Sequence, residues 1–162
     1  MNTVLTRREF AALTGASLLA RPAVAQTESL LMRAIPSSGE LVPAVGLGTA
    51  RIFDNANEAT RAKAAAVVQA LVASGGRIID TASTYGDAEI VMGAEIAGSN
   101  LRDKIFIATK LESPDPSELK RSLNRLKTAK VDLLQLHNVE KRSQSLAKFK
   151  EWSRKAYAAT SA

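Results

Sequence analysis

Cysteine is missing altogether from these 162 residues, and histidine occurs once. The first absence excludes a disulfide framework, a thiolate metal site and a cysteine nucleophile, and the second excludes a His-rich metal centre, so no metal is expected. Aromatic residues make up only 4% of the chain, which disfavours stacking on bases as a way of binding single-stranded nucleic acid. The nine glycines and five prolines follow no period, which excludes collagen-like and low-complexity architectures. With 46% hydrophobic and 23% charged residues, the chain must bury a core, and its length suits one domain, or one domain behind a removable leader. Basic residues exceed acidic ones to give a net charge of +6. The excess between Lys120 and Lys155 is spread around amphipathic helices as on any solvated face. No nucleic-acid motif accompanies it, so no nucleic-acid partner is expected.

Residues 1–25 read as an export signal. Arg7 and Arg8 precede a weakly apolar stretch from Ala11 to Ala20, and Ala23 and Ala25 give the A-x-A pattern of a cleavage site. The apolar stretch falls short of the roughly 20 residues that a spanning helix needs, so no membrane anchor is implied. Thr6-Arg7-Arg8-Glu9-Phe10 resembles the twin-arginine motif, which addresses folded proteins to the bacterial twin-arginine export machinery. The expectation is a periplasmic protein, loaded with any cofactor before export, whose domain occupies residues 26–162.

From Gln26 onward, short apolar runs alternate with amphipathic segments, the pattern of an α/β fold. Strands are expected at 44–49, with Pro43 marking the first start, and at 77–82, 105–110 and 131–137. Helices are expected over Asn57–Ser74, stopped by Gly75-Gly76, over Ala88–Ala97, stopped by Gly98, and from a cap at Asp115-Pro116-Ser117-Glu118 to about Lys127. Leu146, Phe149, Trp152 and Ala156 form the stripe of a further, basic helix. Strand centres recur at intervals of roughly thirty residues, the length of one strand-plus-helix unit. Such units build either an open doubly wound sheet or a closed (β/α)₈ barrel. Thr49, Asp80, Lys110 and His137 end successive strands, and barrel enzymes gather their catalytic groups at that rim.

An Asp, a Lys and a His at neighbouring strand ends would converge. Asp80 and Lys110 would keep each other ionised, and Lys110 near the phenol of Tyr85, on the loop after Asp80, would favour phenolate character. A tyrosine so placed can give a proton to a carbonyl oxygen while a histidine holds that oxygen. With no thiol or metal, a carbonyl reduction would draw its electrons from a bound hydride donor such as a nicotinamide. Singly, each residue has a plainer reading: Asp80 as a turn or cap, Tyr85 as a half-buried loop aromatic, Lys110 as a surface charge, His137 as a hydrogen-bonded core histidine. As a set they read as an enzyme site.

Four blocks carry a family resemblance: Val42-Pro43-Ala44-Val45-Gly46-Leu47-Gly48-Thr49; Asp80-Thr81-Ala82-Ser83-Thr84-Tyr85-Gly86 with Glu89 and Gly93; Ile107-Ala108-Thr109-Lys110; and Val131 to Asn138. In this order they resemble the aldo-keto reductases, (β/α)₈ barrels that reduce aldehydes and ketones with NADPH. The resemblance implies a catalytic tetrad of Asp80 supporting Lys110, Lys110 tuning Tyr85, Tyr85 as general acid and His137 orienting the carbonyl. It further implies Gly48, Thr49 and Asp80 beside the cofactor, and Tyr85, His137 and Asn138 beside a small carbonyl substrate. A barrel of this type takes about 250 residues, so the expectation is a parallel barrel of TIM type truncated to about four or five of its eight βα units. After Trp152 the family's usual continuation is reduced to a Tyr-to-Thr echo, Tyr157-Ala158-Ala159-Thr160, which suggests a disturbed reading frame. The activity expected is carbonyl reduction, impaired or lost if the missing half is essential. The alternative is an inactive half-barrel with a structural role, or one that self-associates through exposed sheet edges.

Overall fold

The computed structural model describes residues 30–139 and 147–152. The expected leader at 1–25 lies outside the described residues, as do Leu146 and Ala156 of the last stripe. Within the stripe, residues 147–152 are helical, and Phe149 and Trp152 meet with ring centroids 5.9 Å apart.

The chain opens with an antiparallel hairpin, β1 (Met32–Ala34) and β2 (Leu41–Pro43). The sequence reading did not anticipate it and took Pro43 for the start of the first parallel strand. Pro43 instead closes β2, where the missing N–H of proline costs nothing at a ladder end. The first parallel strand, β3, is only Leu47–Gly48, shorter than the expected 44–49. Val45, counted there as buried, is 79% exposed. The remaining strands are β4 (Ile78–Asp80), β5 (Phe106–Leu111) and β6 (Leu133–Leu136), each close to its expected place.

Between them run α1 (Glu58–Ala73), α2 (Ala88–Gly98) and α3 (Pro116–Arg125). Asn57 caps α1 by accepting from Thr60 N at 2.8 Å, and Gly75, at φ +82°, turns the chain after its last turn. Asp115 caps α3 through Ser117 N at 2.8 Å, with Pro116 in the first turn as expected. That helix ends two residues before the expected Lys127, which takes the left-handed φ of +51° instead.

The parallel strands lie in the order β3-β4-β5-β6. A doubly wound sheet reverses direction at a switch point, whereas strands laid down sequentially by right-handed crossovers keep all their helices on one face. This order therefore describes an arc of a barrel wall. Side chains alternate across it. Ile79 and Ile107, paired in register, point to the helices and join one core with Val68 of α1 and Met92 and Ile96 of α2. Ile78, Phe106, Ala108 and Leu133 lie on the other face, and so do Asp80 and Lys110, one period further along their strands.

Gly93 and Glu89 lock α2 into place. A Cβ on Gly93 would lie 2.2 Å from the Arg125 carbonyl oxygen and 2.6 Å from Leu126 Cα, so only glycine lets α2 and the end of α3 approach this closely. Glu89 is 1% exposed and accepts from Thr109 Oγ1 of β5 at 2.8 Å. Burial pushes its carboxyl above the ordinary value of 4.5, against the pull of Thr109, the Ser122 hydroxyl and Arg125. No hydrogen bond of ordinary geometry reaches its Oε2 among the described residues.

Two predictions follow from the α2 packing. Gly93→Ala should destabilise the fold by about 1–3 kcal/mol through overpacking, read as a lowered denaturation midpoint. For Glu89, whose carboxyl is raised in the folded state, stability is greatest below the unfolded value and falls as pH rises through the folded one. Glu89→Gln removes that titration and keeps an acceptor for Thr109. Thermal melts from pH 4 to 8 should therefore show the variant gaining on the parent as pH increases.

Candidate active site

Three strand ends and one loop deliver the expected residues to one rim. Asp80 is the last residue of β4, Lys110 the penultimate residue of β5, and His137 follows β6 directly, its N–H bonded to Leu111 O at 2.8 Å. Tyr85 sits on the loop between β4 and α2. Gly86, at φ +54°, makes the turn beside it, and a Cβ there would meet the Asp54 carbonyl oxygen at 2.4 Å. Glycine is thus required where the Tyr85 loop crosses the loop that follows β3. Asp87 strengthens the crossing: its N–H donates to Asp54 O at 3.0 Å and its carboxylate accepts from Ala56 N at 3.1 Å.

The Lys110 ammonium donates to Asp80 Oδ2 at 2.6 Å and to Thr81 O at 3.0 Å, and lies 5.2 Å from the centre of the Tyr85 ring. The lysine side chain is 15% exposed and the aspartate 41%, so this short, charge-assisted contact is shielded mainly on the ammonium side. The ammonium faces the tyrosine ring, an attractive cation–π placement. Among the described residues the Tyr85 hydroxyl itself takes no hydrogen bond, and it is left free for a ligand. The His137 ring meets Tyr85 edge-on, with centroids 5.5 Å apart and planes at 80°. The acid, amine, phenol and imidazole expected from the sequence therefore form one cluster.

The remaining expected residues have more local occupations. Thr49 is fully buried, and both its N–H and its hydroxyl donate to Asp80 O at 3.1 Å, so its side chain braces Asp80. Gly48 pairs with Asp80 in register and has open space where a Cβ would project. Asn138, at φ +48°, brings its Nδ2 to 3.4 Å from His137 Nδ1.

Two glutamates escaped the sequence reading. Glu112 Oε1 is 3.0 Å from His137 Nδ1, and Thr84 Oγ1 is 3.2 Å from the same nitrogen. A signal existed: Glu112 is two residues beyond Lys110 and so continues the same face. Glu118 was read as the third residue of a helix cap. In the structure it is 6% exposed and accepts from Ser83 Oγ at 2.7 Å, Glu112 N at 3.0 Å, and Ser113 N and Oγ at 3.3 Å. Burial by itself would raise its carboxyl, but these donors together hold it below the ordinary 4.5. Glu118 thereby ties the loop carrying Tyr85 to the loop carrying Glu112. A cleft of about 380 Å³ opens beside Tyr85, walled by Ala50, Arg51, Asp54, Thr84 and Gly86. The larger depression, about 460 Å³, lies away from this chemistry between α2 and α3, among Lys120, Arg121 and Arg125.

An aldo-keto reductase of Mycolicibacterium smegmatis is 38% identical over 103 residues, covering 59% of this chain and 34% of its own length. An aldo-keto reductase of Mycobacterium tuberculosis is 36% identical over 103 residues, with the same 59% and 34% coverage. The crystal structure of an aldo-keto reductase from Klebsiella pneumoniae in complex with NADPH superposes with a TM-score of 0.61 at 28% identity, over 78% of this chain and 47% of that one. A second from the same organism, in complex with NADP and acetate, gives 0.57 at 33% identity, over 70% and 42%. The chain thus spans about a third of its curated relatives and under half of these solved structures, and its βα units match part of their (β/α)₈ barrel. The sequence model of the Aldo/keto reductase family matches residues 44–154, and the chain belongs to that family.

Proposed function

We propose that the rim cluster serves the NADPH-dependent reduction of an aldehyde or ketone to an alcohol. The observation that carries this reading is the stacking of Lys110, 2.6 Å from Asp80, against the face of Tyr85, with His137 at the ring's edge. The residues present fit the reactive end of a nicotinamide cofactor: Gly48 leaves open space beside Asp80, and the cleft at Tyr85 admits a small molecule. When bound, that cofactor supplies the hydride that reaches the carbonyl carbon. The chain's own residues handle the proton. Asp80 holds the Lys110 ammonium over the face of the Tyr85 ring. Tyr85 gives that proton to the carbonyl oxygen, and His137 steadies the same oxygen. The Klebsiella reductase in complex with NADPH supports the choice of cofactor.

The twin arginines and the A-x-A pattern support export to the periplasm as a folded, loaded protein. We adopt that as part of the proposal.

Two measurements test the proposal. The purified full chain should quench or shift NADPH fluorescence on titration and should oxidise NADPH in the presence of small aldehydes. A folded chain that does neither would sink the reading. Where turnover is seen, Tyr85→Phe should lower kcat by about 10²–10⁴-fold through loss of the general acid, while NADPH affinity stays within error of the parent.

A further inference from the structure

Within the block Asp80-Thr81-Ala82-Ser83-Thr84-Tyr85-Gly86, Ser83 has no part in the proton transfer described above, yet all three of its polar atoms are engaged. Its N–H donates to Lys110 O at 3.0 Å, its hydroxyl donates to Glu118 Oε1 at 2.7 Å, and its carbonyl oxygen accepts from Arg125 Nη1 at 3.4 Å. The first bond prolongs the β4–β5 ladder past Asp80, after Thr81 N has met Ala108 O at 2.9 Å. The other two come from the first and last turns of α3. The hydroxyl bond is the short, charge-assisted one, made to a carboxylate that is 6% exposed. Glu118 accepts from Glu112 N on the same oxygen at 3.0 Å and from Ser113 N and Oγ on the other at 3.3 Å, so the carboxylate is fixed from its far side.

Beyond Ser83 the chain turns. Tyr85 N donates to Ala82 O at 3.2 Å, and the backbone is pinned again where Gly86 and Asp87 cross Asp54. Tyr85 therefore hangs between two anchors, and Ser83 is the one that belongs to β5 and α3. Lys110 makes the placement specific: its carbonyl takes the Ser83 N–H while its ammonium lies 5.2 Å from the centre of the Tyr85 ring. A slip of Ser83 along β5 would move that ring against both the ammonium and the His137 edge.

We propose that Ser83 is a positioning residue for Tyr85, its hydroxyl carrying the rigidity of α3 through Glu118 to the loop that presents the phenol. The placement of the ring stands on these contacts alone, while its consequence for turnover rests on the reductase reading.

The full chain has a single histidine and two tyrosines. NMR therefore resolves the contact between the Tyr85 and His137 ring protons once Tyr157→Phe has assigned the other tyrosine. The parent should show a cross-peak between the two rings. Ser83→Ala should weaken it and move the Tyr85 ring signals, and Ser83→Thr, which keeps the hydroxyl, should restore both. Ser113→Ala deprives the same carboxylate of a donor on its other oxygen, one that belongs to the Glu112 loop, and should leave both as in the parent. If Ser83→Ala does not fold, Ser83→Cys, a weaker donor of similar shape, takes its place in the comparison. A folded Ser83→Ala or Ser83→Cys variant with the parent's Tyr85 signals, a Ser83→Thr variant that fails to restore them, or a Ser113→Ala variant that moves them equally would overturn the proposal. Where turnover is seen, Ser83→Ala should lower kcat by about 10–10²-fold through misplacement of the phenol and leave NADPH affinity within error of the parent; an unchanged kcat would equally overturn it. An inactive parent whose Tyr85 signals respond as described counts against the reductase reading alone.

Discussion

A lysine ammonium pressed against an aspartate carboxylate, 2.6 Å apart across β4 and β5, sets the frame for everything at this rim. Both side chains leave the sheet on the face away from the helices, because Asp80 follows Ile78 and Lys110 follows Ala108 by one strand period. Two opposite charges on adjacent strands make that face a place where polar groups are satisfied by each other. The ammonium that makes these contacts also lies 5.2 Å from the centre of the Tyr85 ring. Thr49, spending its hydroxyl on the Asp80 carbonyl, extends the same bracing to β3.

Behind the rim, two buried glutamates divide the work of holding the loops. Glu118 collects donors from two loops and is held ionised by them, so its contribution to stability is present at neutral pH and is lost as pH falls through its lowered value. Glu89 has one donor and a desolvated second oxygen, and its contribution runs in the opposite sense. One glutamate joins the Tyr85 and Glu112 loops through several donors, and the other joins α2 to β5 through the single hydroxyl of Thr109. The core can hold both because only the first is surrounded by enough N–H and O–H groups to replace water.

The sequence made the repeating units and the chemical rim legible, because strand length, strand spacing and polar strand ends are local features. Asn57, Asp115 and Gly75 announced helix boundaries through their own backbone preferences. The hairpin β1–β2 was hidden because Pro43 and Val45 look like the start and interior of a buried strand, and only tertiary placement leaves Val45 exposed. Glu118 was misread for a related reason. A glutamate at the third position of a helix ordinarily caps it, and nothing in the flanking residues reveals that Ser83, thirty-five positions upstream, will claim its carboxylate. Glu112 was detectable by strand alternation alone, yet the strand was expected to stop at Lys110.

The cleft beside Tyr85 takes one wall from residues 50–54, a segment that supplies none of the four rim side chains. Arg51 and Ile52 point largely to solvent there, while Gly86 and Asp87 pin the segment by its backbone. Anchorage of the segment therefore runs through backbone atoms, and Arg51 lines the cleft without belonging to the charged cluster behind it. Selection for a new guest molecule has a tract of chain on which to act that owes nothing to the chemistry.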